Sequence, residues 1–211
     1  MYILFKKVIM EVKLPIYNAL INDDGTGVYC VSLVTNPATE VDFVYFDKDK
    51  QIEKFAVENP KEHIVAGVIM LADTLIYRRN GDFEFYVNYT KETLKQIAEQ
   101  MIHDGVGSNV NIQHVEGSNV DGVNLMELFV IDREKGIDPV FFKDVPDGSL
   151  IGFYKVHNDD VWEQIENGDV LSFSLEGIFN LVPEEFKSQE EDNEYNEVMA
   201  LIEKLNKKLN K

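Results

Sequence analysis

Residues 63–77 and 83–89 are two runs rich in strand-forming side chains, separated by Arg78-Arg79-Asn80-Gly81-Asp82. An Asn-Gly pair between such runs most simply closes a β-hairpin, because it supplies the positive φ angles a tight turn needs. Other stretches have the same character. Gly27-Val28-Tyr29-Cys30-Val31-Ser32-Leu33-Val34 is β-branched and aromatic and stops at Asn36-Pro37, and Val41-Asp42-Phe43-Val44-Tyr45-Phe46 alternates. Residues 110–115 and 123–131 flank a turn at Gly117-Ser118-Asn119 and read as a further hairpin, while 150–156 and 170–179 read as later strands. The period changes only where Leu94, Ile97, Ala98, Met101 and Ile102 recur at helical spacing, with Thr90 placed as a cap and Gly105 as a stop. A shorter helix carries Val161, Trp162 and Ile165 and closes at Gly168. The pattern predicts a strand-rich α+β fold, a mainly antiparallel sheet or barrel with a few packing helices, over residues 1–182.

The chain of 211 residues is 45% apolar and 11% aromatic, enough to bury a core in one domain. Acidic residues outnumber basic ones 38 to 20, giving a formal charge of −18 that repels phosphate backbones and argues against nucleic acid as a partner. Part of this charge falls in an acidic linker, residues 183–196, which precedes an amphipathic helix expected over 197–211 with Val198, Leu201, Ile202, Leu205 and Leu209 on one stripe. That helix would dock on its own domain, pair with a copy, or serve as a handle for a partner. No apolar run is long enough to span a bilayer, and Tyr2-Ile3-Leu4-Phe5 is broken at once by Lys6 and Lys7, so an intracellular protein without membrane association is expected. The single cysteine, Cys30, cannot form an internal disulfide, and no Cys/His spacing suits zinc.

Chemistry is concentrated in few residues. In Leu171-Ser172-Phe173-Ser174-Leu175-Glu176-Gly177, alternation sends Ser172, Ser174 and Glu176 to one face, and Gly177 could let backbone amides approach an oxyanion. A serine nucleophile needs a base. Of four histidines, His63 opens a strand, His103 sits in the last turn of the 90–104 helix where a cation is favoured, and His157 ends a strand. His114, which closes Asn109-Val110-Asn111-Ile112-Gln113-His114 and heads into a tight turn, has no such explanation. An acid must then orient the imidazole. On the strand expected to pair back on His114, Glu127 shares a face with Val123, Leu125, Phe129 and Ile131, and a carboxylate among apolar neighbours needs a partner, so Glu127 is the first choice. Asp132, Glu116 and Asp121 lie nearer the ends, and Glu176 lies on the serine face. Cys30 sits in an apolar strand, where a free thiol behaves as a small hydrophobe, which disfavours a cysteine hydrolase.

Several segments together resemble the phage prohead (capsid maturation) serine proteases, in particular the XkdF-type phage protease group, whose fold is thought to be like herpesvirus assemblin. They are Gly27 through Ala38, Val65-Ala66-Gly67-Val68-Ile69-Met70 with Tyr77-Arg78, Asn109 through His114, Asp160-Val161-Trp162, and Ser174-Leu175-Glu176-Gly177-Ile178-Phe179. The resemblance implies a serine endopeptidase with His114 as general base and Ser174, ahead of Ser172, as nucleophile, needing no metal or cofactor. Assemblin-type enzymes use a second histidine after the serine, and none follows His157 here, so the third member is expected to be a carboxylate, provisionally Glu127. The resemblance further implies scaffold and major capsid proteins as substrates inside an assembling prohead in the host cytoplasm, with self-cleavage and homo-oligomerisation as further expectations. The alternative from another class is a non-enzymatic capsid assembly or scaffold-binding protein, which predicts His114 and Ser174 far apart.

Overall fold

The computed structural model describes residues 14–22, 25–36, 44–45 and 62–184. Along them run β1 (Ile16–Leu20), β2 (Gly27–Val34), β3 (Val44–Tyr45), β4 (Ile64–Met70), β5 (Ile76–Asn80), β6 (Phe83–Asn88), α1 (Lys91–His103), β7 (Val110–Ile112), β8 (Val123–Val130), β9 (Leu150–Val156), α2 (Asp159–Asn167), β10 (Ser172–Ile178) and β11 (Asn180–Pro183). The strands form three sheets, ordered β11-β1-β6-β5, β10-β2-β7 and β3-β4-β9-β8, and among the described residues none closes into a barrel. Neighbours are antiparallel except for β1 with β6 and β2 with β7. A strand-rich α+β fold with mixed sheets is thus present. The rest of the expected 41–46 strand, the linker beyond Glu184 and the expected helix 197–211 lie outside the described residues.

Both helices form where capping residues and apolar spacing coincide. In α1 the Thr90 hydroxyl accepts from the Thr93 amide at 3.2 Å, and Leu94, Ile97 and Met101 are buried against β2 and β8, with Gly105 in the left-handed region just beyond. Ile102, expected on the same stripe, is exposed. In α2 the Asn158 side chain accepts from Val161 N at 3.1 Å and Gly168 ends the helix at φ 79°.

The hairpin at residues 80–83 is present, but its two-residue loop is Gly81-Asp82, with positive φ at Gly81 and not at Asp82, the type II′ pattern. The run 63–77 is divided, because the chain turns at Ala72-Asp73: β4 joins one sheet and β5 another. The second expected hairpin does not form. β7 pairs with β2 in parallel, and β8 pairs with β9 instead.

One core cluster joins β2, β10, β9 and both helices, through Val31, Leu33, Ile97, Tyr154, Trp162 and Phe173, and a smaller one lies on the other face of the β4-β9-β8 sheet around Ala66, Ile131, Phe142 and Ile151. Phe173 anchors β10 to the first, its ring 4.6 Å from that of Tyr154 with both side chains fully buried. Truncating it leaves a large cavity under the strand. Phe173→Ala is expected to lower the unfolding free energy by about 3–5 kcal/mol in urea titrations; a loss below about 1 kcal/mol would show that β10 is not held by this contact.

Candidate active site

In the register of the β10-β2-β7 sheet, Ser174 lies opposite Ser32, Glu176 opposite Cys30, and Asn111 beside Ser32 on the other side. Side chains alternate along each strand, so Ser172, Ser174, Glu176, Cys30, Ser32 and Asn111 share one face. A hydrogen bond confirms this: Asn111 Nδ2 reaches across β2 to donate to Glu176 Oε1 at 2.6 Å. Phe173 and Leu175 point the other way, so the apolar half of β10 anchors the strand and the polar half forms the opposite face. Ser32 and Ser172 are fully buried on this face, and Ser174 is 7% exposed.

His114 is brought to the same face by a turn, not by a strand. β7 ends at Ile112, and both Gln113 and His114 adopt left-handed backbone, at φ 58° and 57°, with Val115 N donating to Ile112 O at 3.2 Å. Two consecutive positive φ values closed by such a bond are the pattern of a type I′ turn, which glycine and asparagine normally fill. A non-glycine residue held there costs on the order of 1–3 kcal/mol. Several contacts hold it. Gln113 N donates to Leu33 O at 2.9 Å, and the Gln113 side chain exchanges hydrogen bonds with Thr35. The Ser118 hydroxyl, within reach of both Ile112 O (2.9 Å) and Val115 O (2.7 Å), lies across the turn. His114 N itself donates to Ser32 Oγ at 2.9 Å, and Ser32 is the residue directly opposite Ser174.

From this turn the imidazole Nδ1 sits 2.9 Å from Glu176 Oε1. Glu176 is therefore the carboxylate beside His114, held on its other side by Asn111 and, at a long 3.5 Å, by the Tyr29 hydroxyl. A carboxylate that accepts from Nδ1–H leaves Nε2 with its lone pair, the tautomer a general base requires. The Glu176 side chain is 17% exposed and that of His114 45%, so the pair is shielded on the sheet side and open on the other. The Ser174 hydroxyl lies on the same face, two residues from Glu176. It is not hydrogen-bonded to the ring, an arrangement common in unliganded sites where the contact tightens only with substrate.

Glu127 is not part of this cluster. β8 carries an extra residue between Leu125 and Glu127, opposite Tyr154 and Phe153, so the alternation that grouped Glu127 with Leu125 is broken, and Glu127 is exposed on an edge strand of a different sheet. Glu116 and Asp121 are exposed too. Asp132 is buried but engaged elsewhere: its carboxylate accepts from Lys135 Nζ at 2.9 Å and lies 3.7 Å from Lys91 Nζ, and these contacts hold its pKa below the usual carboxylate range. Two of the other histidines have side-chain partners, and the third, exposed His157, is held through its main chain. His63 stacks on Trp162 with centroids 4.3 Å apart, His103 Nδ1 lies 2.8 Å from Asp104, and His157 N donates to Gly122 O at 2.6 Å. Burial, and then the nearby charge of Glu176, push the Cys30 thiol up, which keeps it protonated and unreactive. Gly177 has a packing role: a Cβ there would lie 2.6 Å from the Phe179 ring and 2.7 Å from Gly27 O, at the bulge in the β10-β2 ladder. Among the described residues no three His, Cys, Asp or Glu side chains are grouped to hold a metal ion.

Ser32, Asn111 and Gln113 are members of the site that sequence reasoning passed over. The available signal was a set of polar residues alternating through otherwise apolar strands, since a buried Asn or Ser needs a partner.

A serine set beside a histidine-carboxylate pair is the constellation of a serine hydrolase. The chain belongs to the family described as "Putative phage serine protease XkdF", whose model matches residues 51–182, more than half of its length. No curated protein and no solved structure matches it.

The tether between Ser32 and the His114 turn can be tested without any substrate. Ser32→Ala removes the acceptor of the His114 amide, and is expected to cost about 1 kcal/mol of stability and to speed hydrogen exchange at the His114 N–H severalfold. Unchanged exchange would show that the turn is held without it.

Proposed function

We propose that the chain is a serine endopeptidase in which Ser174 is the nucleophile, His114 the general base and Glu176 the residue that orients the imidazole. The observation that carries this reading is the 2.9 Å contact of His114 Nδ1 with Glu176 Oε1, two residues along the same strand face from Ser174. Extended backbone advances about 3.3 Å per residue, so Ser174 and Glu176 lie about 6.6 Å apart along the strand. An imidazole whose Nδ1 is bound to Glu176 must turn Nε2 toward the serine to take its proton. His114 Nε2 takes the Ser174 proton as the hydroxyl oxygen attacks a peptide carbonyl. The imidazolium, stabilised by Glu176, returns the proton to the leaving amine, and water hydrolyses the acyl-enzyme by the same route. The buried polar row behind the pair, Asn111 and Ser32, fixes its position.

The substrates we assign are scaffold and major capsid proteins of the phage head, with self-cleavage as an additional reaction inside the prohead. The family description supports a phage serine protease; the substrates are assigned from the resemblance of the segments around His114 and Ser174 to prohead proteases. One observation favours the alternative of a non-enzymatic assembly or scaffold-binding module: the Ser174 hydroxyl and the His114 ring are not hydrogen-bonded. The backbone tether of His114 to Ser32, opposite Ser174, weighs against it, since a binding module has no need of a strained turn at that position.

Wild type, Ser174→Ala, His114→Ala and Glu176→Gln should be incubated with scaffold protein and the products followed by mass spectrometry. Ser174→Ala and His114→Ala are expected to lose cleavage on the order of 10²- to 10⁴-fold or more. Glu176→Gln should lower the turnover rate more than it raises KM, because a neutral amide no longer stabilises the imidazolium. Equal cleavage by wild type and Ser174→Ala would sink the assignment.

A further inference from the structure

The β5-β6 hairpin extends past the start of β1. Ile16 pairs with Tyr86, so Phe83 and Phe85 lie beyond that rung, with Arg78 opposite Phe85 and Arg79 opposite Glu84 on β5. The Tyr17 ring leans over this end, 5.6 Å from that of Phe85 and 6.4 Å from that of Phe83, and Phe83 stacks on Phe85 at 5.3 Å. Leu181, paired with Ala19 two residues along from Tyr17, continues the same face onto β11. Phe83 remains 50% exposed and Leu181 41% among the described residues. Contiguous apolar surface left open in this way marks a contact site. Beside it, Arg78 donates to the neighbouring Tyr77 O and forms no ion pair among the described residues. Arg79 has only a 3.8 Å contact with Asp82 in which both side chains are exposed, a pairing worth little.

We propose that residues 185–211 of the same chain dock on this face, the acidic stretch 185–196 against Arg78 and Arg79 and the apolar stripe of 197–211 over Tyr17, Phe83, Phe85 and Leu181. The exit of the chain points there. β11 runs antiparallel to β1 and Glu184 N donates to Ile16 O at 2.9 Å, so the chain leaves the sheet at the end where the hairpin stands out. Two strand spacings, about 10 Å, separate β11 from β6 there. The 196 − 184 = 12 residues that follow reach at most about 40 Å, which covers that interval several times. Charge agrees: Glu185, Glu190, Glu191, Asp192 and Glu194 are set against a single Lys187, and in a chain of net charge −18 two adjacent arginines without a close partner are their complement. So does size. Helical spacing from Val198 to Leu209 makes a stripe about 16 Å long. The level of Leu181 lies six residues of strand, about 20 Å, from Phe83, since Ala19 stands three residues beyond the Ile16-Tyr86 rung and Phe83 three before it. A helix of this length is marginal alone in water and is stabilised by burying its stripe. A second copy of the chain competes poorly, because so short a tether holds the tail at an effective concentration on the order of millimolar. The inference does not depend on the assignment of Ser174, His114 and Glu176.

The test places a nitroxide on the full chain through Lys207→Cys, on the side of the segment away from the stripe, and reads amide intensities by NMR. Cys30 is buried and protonated, so it stays unlabelled, and wild type treated with the same reagent checks this. The amide resonances of Tyr17, Phe83 and Phe85 are expected to lose most of their intensity and to recover when ascorbate reduces the label. Phe83→Ser at the exposed hairpin tip and Arg79→Glu on an exposed side chain should each restore part of the intensity without reduction, one by removing apolar contact and the other by reversing charge. A mixture of isotope-labelled chain lacking the nitroxide with unlabelled chain carrying it should show no loss. Full intensity at these amides, loss spread evenly over the surface, or loss that neither substitution reverses would overturn the proposal. Equal loss in the mixture would also overturn it, since the face would then be covered by a second copy.

Discussion

The antiparallel pairing of β10 with β2 sets the position of everything the site uses. It places Ser174 against Ser32 and Glu176 against Cys30, and a slip of one residue would turn both Ser174 and Glu176 into the core and expose Phe173 and Leu175. That slip is prevented by burial, because Phe173 packs on Tyr154 with neither side chain exposed. The same hydrophobic term that stabilises the domain therefore fixes the register of the face that carries Ser174 and Glu176. β2 transmits it onward, because its other edge holds β7 in parallel, bringing Asn111 to Glu176 and the end of β7 to the level of Ser32.

Local strain and its compensation supply the remaining member. Gln113 and His114 occupy backbone regions that such residues seldom adopt, and the turn is held by main-chain bonds to Leu33 and Ile112 and side-chain bonds to Ser32, Thr35 and Ser118. Strain of this kind persists where the surroundings over-determine it, and it concentrates at functional sites. Here it aims an imidazole back over the sheet that a continuing strand would have carried away. The one carboxylate involved is matched with Asn111, His114 and, at a longer 3.5 Å, Tyr29.

Much of this was legible in the sequence, and the part that was not has identifiable causes. Both helices followed from capping residues and apolar spacing, and the shared face of Ser174 and Glu176 followed from alternation, which is local. His114 stood out because the other three histidines had simpler explanations; His63 and His103 do have side-chain partners, while His157 is exposed and bonded through its main chain. Two features were hidden. The bulge between Leu125 and Glu127 shifts the phase of β8 with no glycine to mark it, and so Glu127 looked like a buried acid. The pairing of β7 with β2 rather than β8 is non-local, and a turn sequence at residues 117–119 is equally compatible with either partner. Glu176 became the neighbour of His114 through that parallel pairing, which no spacing in the chain encodes.

The central claim is that Ser174 is an activated nucleophile and that the His114-Glu176 pair activates it. Labelling of the full chain with a fluorophosphonate, followed by proteolytic mapping of the adduct, measures this directly and requires no knowledge of the substrate. The account predicts a single adduct on Ser174, abolished in His114→Ala and slowed in Glu176→Gln. An adduct on another serine, or labelling of Ser174 that is indifferent to loss of His114, would contradict it.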